Sequence, residues 1–143
     1  MDLEANDARH HFPSALLAKI LSVYAIIEAS VFGLGSLAFG VSLKKLWIPY
    51  LLFLTPALLG LPLIVNARRF RDRPKSCALR SAIGMAVFCT LAVIATYYSG
   101  VFSLLVPSPT TSGELIFIVI FGASIASVSA YYSTYWMLTS KKS

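Results

Sequence analysis

The chain has 143 residues, of which 57% are hydrophobic and 13% charged, with a mean hydropathy of +0.76. A soluble domain of this length keeps too much of its surface in water to hide so much apolar side chain, so a water-soluble globule is excluded. The net charge of +6 does not argue for nucleic acid: six of the twelve Lys/Arg (Arg68, Arg69, Arg71, Arg73, Lys75, Arg80) crowd into one short stretch between long apolar runs. That is the pattern of a cytoplasmic loop in a membrane protein.

Residues 1–13 are polar and mixed in charge and read as a cytoplasmic tail. Pro13 and Ser14 then open a first helix over about 14–43, apolar except for Lys19 and Glu28. Lys19 is placed to snorkel to the headgroups. Its apolar run is too long for a cleaved signal peptide, and its leading tail is acidic as well as basic. A second helix over 46–65 contains Pro49, Pro56 and Pro62. Three prolines are tolerated in a membrane bundle because neighbours satisfy the freed carbonyls, and a kink is expected near Pro56.

Residues 66–80 form the basic loop, with Cys77 inside it. A third helix runs over 81–106 to Pro107 and contains Cys89, so no disulfide is expected. Turn residues 107–113 follow, and Ser112 with Glu114 opens a fourth helix over 113–138, ahead of a tail at 139–143. Each apolar run reaches the roughly 20 residues that span about 30 Å of hydrocarbon. The predicted fold is therefore an all-α integral membrane protein, a four-helix transmembrane bundle with no internal repeat.

Glu28 is the most informative residue, since a carboxylate inside a span costs about 2.5–3.5 kcal/mol on insertion scales. Leu21, Tyr24, Phe32, Gly35 and Phe39 share its helical face. Counted at about 1.5 Å per residue from a boundary near Ile20, it lies about 12 Å deep, level with Thr55–Pro56, Cys89–Thr90 and Ser129. An intramembrane polar layer of Glu28, Thr55, Thr90 and Ser129 is the resulting expectation. Its sharper meaning is a proton or cation site, or a contact with a partner's charge. The simpler and favoured one is a neutral carboxyl sharing a hydrogen bond with a hydroxyl.

The fourth helix offers a face of small residues, Gly122, Ala126, Ser129, Ala130 and Ser133, which suits close helix packing or a partner. Packing within the bundle is the favoured reading. The first helix carries a second such row in Ala29/Gly33 and Ser36/Gly40. Arg68, Arg69, Arg71, Arg73 and Lys75 suit lipid headgroups, though a topology signal accounts for them more simply. Tyr131, Tyr132, Tyr135 and Trp136, with Trp47 and Tyr50 at the other interface, form an aromatic belt.

No HExxH, GxSxG, phosphate loop or GxGxxG is present, and His10 and His11 are too close in sequence to pair on a metal. No metal, no cofactor and no enzyme chemistry is expected. The expected role is a non-enzymatic inner-membrane protein that binds the bilayer and a membrane-protein partner or a second copy of itself. An immunity protein against a membrane-acting toxin or an accessory subunit would fit. The competing expectation is a small oligomeric transporter or channel with Glu28 as its ion or proton site.

The basic loop sets the orientation, N-in and C-in, with Lys44 and Lys45 as the dissenting charges. Reporter fusions after residue 70 and at the C-terminus should both read cytoplasmic, while a fusion at 108–110 should read external. A fusion after residue 70 that reads external would reverse the layout.

Overall fold

The computed structural model describes residues 14–40, 42–65, 73–101 and 111–140. These form four helices and, among the described residues, no strand: α1 (Ser14–Phe39), α2 (Leu43–Val65), α3 (Pro74–Tyr98) and α4 (Ser112–Thr139). Each is long and apolar enough to cross a membrane. Their large outward side chains, such as Leu37, Leu63, Leu91 and Phe117, are those that lipid covers and water would not.

Most helix ends fall within a few residues of expectation, and the differences have local causes. Gly40 has φ 63°, the left-handed conformation that closes a helix without a Cβ clash, so α1 stops at Phe39 instead of about 43. Gly100, at φ 75°, does the same after α3, which ends at Tyr98; Val101 is helical again, and the rest of the expected span to Val106 lies outside the described residues. The start of α3 also moves, from 81 back to Pro74. Proline suits the first helical position, where its missing N–H would have had no partner. The next turns are amphipathic: Lys75, Leu79 and Arg80 face outward while Cys77, Ala78 and Ser81 are buried. Cys77 is thus a buried helical residue and not part of a loop, and both cysteines are free. At the start of α4 the cap is Thr111, not Ser112. Its hydroxyl accepts the Glu114 N–H at 3.3 Å, and its own N–H donates to Glu114 Oε2 at 2.8 Å.

The helices pack in sequence around the bundle, α1 on α2, α2 on α3, α3 on α4 and α4 back on α1. The α3–α4 pair is the most extensive. Its buried faces are small, with Ala78, Ser81 and Ala82 on α3 and Ala126, Ala130 and Ser133 on α4, so the two backbones can approach closely. Alternating direction brings the starts of α1 and α3 and the ends of α2 and α4 to one end of the bundle. That end carries Arg73, Lys75 and Arg80.

Glycines set the closest approaches. A Cβ on Gly60 of α2 would sit 2.8 Å from the Phe88 ring of α3, and one on Gly84 would run into the end of Ile64. A Cβ on Gly122 of α4 would collide with the ring of Phe53. Phe53 itself stacks on Phe32 with centroids 5.5 Å apart, so one aromatic side chain joins α1, α2 and α4. Gly122→Val should lower the thermal stability of the purified protein in detergent by about 1–3 kcal/mol through this clash. Gly33→Ala, where a new Cβ meets nothing, should leave stability nearly unchanged. Equal loss in both variants would mean that Phe53 is not the contact that matters.

Candidate functional site

On α1 the fully buried residues are Ile20, Tyr24 and Glu28, four residues apart, so a single narrow stripe faces the bundle. Glu28 is the only charged residue among the buried side chains described. Among the described residues, neither of its carboxyl oxygens has a hydrogen-bond partner. Every described basic side chain is exposed, so none is placed to neutralise it. A buried polar group without a partner normally costs about 1–3 kcal/mol.

The groups nearest in chemistry to Glu28 are Tyr24, one turn earlier, and Cys89 of α3, both within electrostatic reach of the carboxylate. The Tyr24 hydroxyl is close enough to interact with the carboxyl, but lies between two acceptors. Its one well-formed bond is donated, at 3.5 Å, to the carbonyl of Phe53 on α2. Tyr50 of α2 reaches back to the carbonyl of Ala25 at 3.2 Å. These two crossed bonds tie α1 to α2 beside Glu28. Tyr50 is therefore half-buried inside the bundle and not a belt residue, and its ring meets Phe32 edge-on at 6.1 Å.

The expected layer is not a ring around Glu28. Thr55 is exposed, and its hydroxyl donates 2.8 Å to the carbonyl of Leu51. Thr90 is half-buried and likewise bonds to Ala86 O at 2.8 Å. The cause is general: in apolar surroundings a helical hydroxyl finds its nearest acceptor four residues back on its own helix. Ser22, Ser30, Thr96 and Ser124 do the same. Ser129 is buried but lies lower in the bundle. Tyr24 reaches Phe53, and Phe53 lies on Gly122, so Glu28 is placed nearer the level of Gly122 than of Ser129, seven residues or about 10 Å further along α4. Counting depth from each helix's expected boundary missed the different offsets of the helices.

The small face of α4 is buried at every position, Gly122, Ala126, Ser129, Ala130 and Ser133, together with Thr134. It packs inside the bundle and presents nothing outward. The row on α1 is different: Ala29 is exposed, and Cβ atoms added at Gly33 and Gly35 would meet no atom within 4 Å. Of the basic set, Arg73 and Lys75 are exposed at the start of α3, while Arg68, Arg69 and Arg71 lie outside the described residues. At the same end Tyr131 stacks on Tyr135 at 6.0 Å, with Tyr132 and Trp136 exposed.

Phe53, Thr134 and Ser81 were not anticipated. Phe53 has no distinguishing mark in sequence, whereas Ser81 and Thr134 follow from extending the α3 and α4 inner faces by one turn. Among the described residues, no three His, Cys, Asp or Glu side chains come together as a metal site.

Four apolar helices around a buried acidic residue define a multi-pass α-helical membrane protein. Comparison with protein-family models, curated proteins and solved structures returned no match.

If the Glu28 carboxyl is unsatisfied, it opposes the fold. Glu28→Met, similar in shape and apolar, should then raise thermal stability in detergent by about 1–3 kcal/mol. Glu28→Gln, still polar, should change it little. A destabilised Glu28→Met would show that the carboxyl has a partner that holds the helices together.

Proposed function

We propose that the chain is a non-enzymatic protein of a cell inner or plasma membrane that acts by binding a second membrane protein, or another copy of itself, through α1. In this reading both termini and the arginine-rich connection face the cytoplasm. It further has α2 bending near Pro56, where the carbonyl of Leu52 loses its N–H partner.

One observation supports the binding role. α1 is the helix its neighbours cover least, and its second half turns Leu34, Leu37 and Phe39 outward beside the open positions Gly33 and Gly35. A row of small residues between large apolar ones lets another helix approach closely, and this is how helices associate in lipid. The matching row on α4 is already spent on α3. An immunity protein that blocks a membrane-inserted toxin, and an accessory subunit that steadies a larger complex, are the two concrete forms.

A second reading, a small oligomeric transporter or channel, is supported by Glu28, a fully buried carboxyl that among the described residues meets no cation and no well-formed hydrogen bond. One pair of measurements separates the two. A photo-crosslinker at Leu34 should give a defined adduct in native membranes, and Gly33→Leu should abolish it. Proton or cation flux in proteoliposomes should be absent with or without Glu28→Gln. Flux that disappears with Glu28→Gln, in a chain that forms no adduct, would replace the binding role with transport.

A further inference from the structure

Two side chains carry buried polar atoms without hydrogen-bond partners among the described residues: both carboxyl oxygens of Glu28, and Thr134 Oγ1. They belong to one pattern. On α1, Tyr24 precedes Glu28. On α4, Ser129, Ser133 and Thr134 follow Gly122 towards the helix end. On α3, Cys77 and Ser81 occupy the first turns, and Cys89 lies within electrostatic reach of the carboxylate. All these fully buried polar groups lie to one side of Glu28, towards the end bearing Arg73, Lys75 and Arg80.

Towards the opposite end the surroundings change. One turn beyond Glu28, Phe32 stacks on Phe53 at 5.5 Å and meets Tyr50 edge-on at 6.1 Å. The Tyr50 hydroxyl is held by the Ala25 carbonyl and the Phe53 ring is pressed against Gly122. Three interlocked rings from two helices, one of them against Gly122 of α4, occupy that side.

We propose that Glu28 is a proton-binding site that exchanges with water from the basic end of the bundle only, along the buried hydroxyl and thiol groups, with the Phe32–Tyr50–Phe53 cluster sealing the other end. The proposal takes up the buried carboxyl of the second reading without requiring flux, stands beside the binding role of α1, and adds the ion and its side of entry. A proton fits where a metal cation does not. Hard cations take six or more oxygen ligands, whereas the titratable neighbours of Glu28 are Tyr24 on its own helix and Cys89 on α3, with Tyr50 of α2 beside Tyr24 and none on the buried face of α4. A proton needs one acceptor and a series of groups that can pass it on. Ser81 donates to Cys77 O and Ser133 to Ala130 O, which leaves their own oxygens free to accept. Thr134 has both functions free. Buried polar groups in this condition are where transient water is stabilised.

The test uses the purified full chain in proteoliposomes, with insertion direction fixed by protease cleavage at the basic connection. The infrared carbonyl band of a protonated carboxyl, assigned by its loss in Glu28→Gln, is followed while pH is changed on one side at a time. The band should respond to pH at the basic end and ignore the other. Phe32→Ala should make it respond from both ends. Ser133→Ala with Thr134→Val should slow the response by roughly tenfold without moving the band. A band that responds from the far side in the unaltered protein, or is indifferent to Phe32→Ala, would overturn the sidedness while leaving Glu28 a titrating site. If no pH-responsive band is lost in Glu28→Gln, the titrating site itself is wrong.

Discussion

The bundle depends on helices coming closer than side chains of ordinary size allow. In lipid no hydrophobic force drives apolar helices together, so contact area and backbone proximity must do it. Gly122 admits the Phe53 ring, Gly60 admits Phe88, and Gly84 admits Ile64, each contact joining α2 to a neighbour. The alanines and serines on the α3 and α4 inner faces do the same for the most extensive pair. Dispersion contacts of about 0.1–0.2 kcal/mol per atom pair become substantial only when many form at once, which this spacing permits.

The treatment of polar groups follows from the same solvent. Most hydroxyls in the spans return to their own backbone, bonding a carbonyl three or four residues back, and so place no demand on the neighbouring helices. The tyrosines between α1 and α2 behave differently, crossing to carbonyls on the facing helix and fixing the register of that pair. Glu28 follows neither pattern. Its stem is too short to reach water, and the nearest hydroxyl, that of Tyr24, is shared with the Phe53 carbonyl. A group that costs stability without contributing to packing is the kind that function retains.

How much of this was legible in sequence depended on the length of the signal. Four spans follow from apolar runs of about 20 residues or more, because nothing else satisfies so long a stretch. The burial of Glu28 and of the α4 face followed from periodicity and from the cost of an exposed carboxylate in lipid. Helix ends were less legible. Lys75 and Arg80 disguised the first turns of α3, where one face is charged and the other buried, and the left-handed glycines Gly40 and Gly100 stop their helices before the apolar residues run out. The Glu28 layer was misjudged because depth along one helix says nothing of its offset against the next. Only contacts such as Phe53 on Gly122 set that offset, and they depend on tertiary packing.

The cysteines on α3 carry a practical consequence. Cys77 and Cys89 are both sealed in the core, three turns apart on the buried face of α3. A thiol can be alkylated only when the helices around it part, so the rate of labelling reports how often the bundle opens. The protein thus contains two native gauges of its own breathing, one near the charged end and one beside the acidic residue.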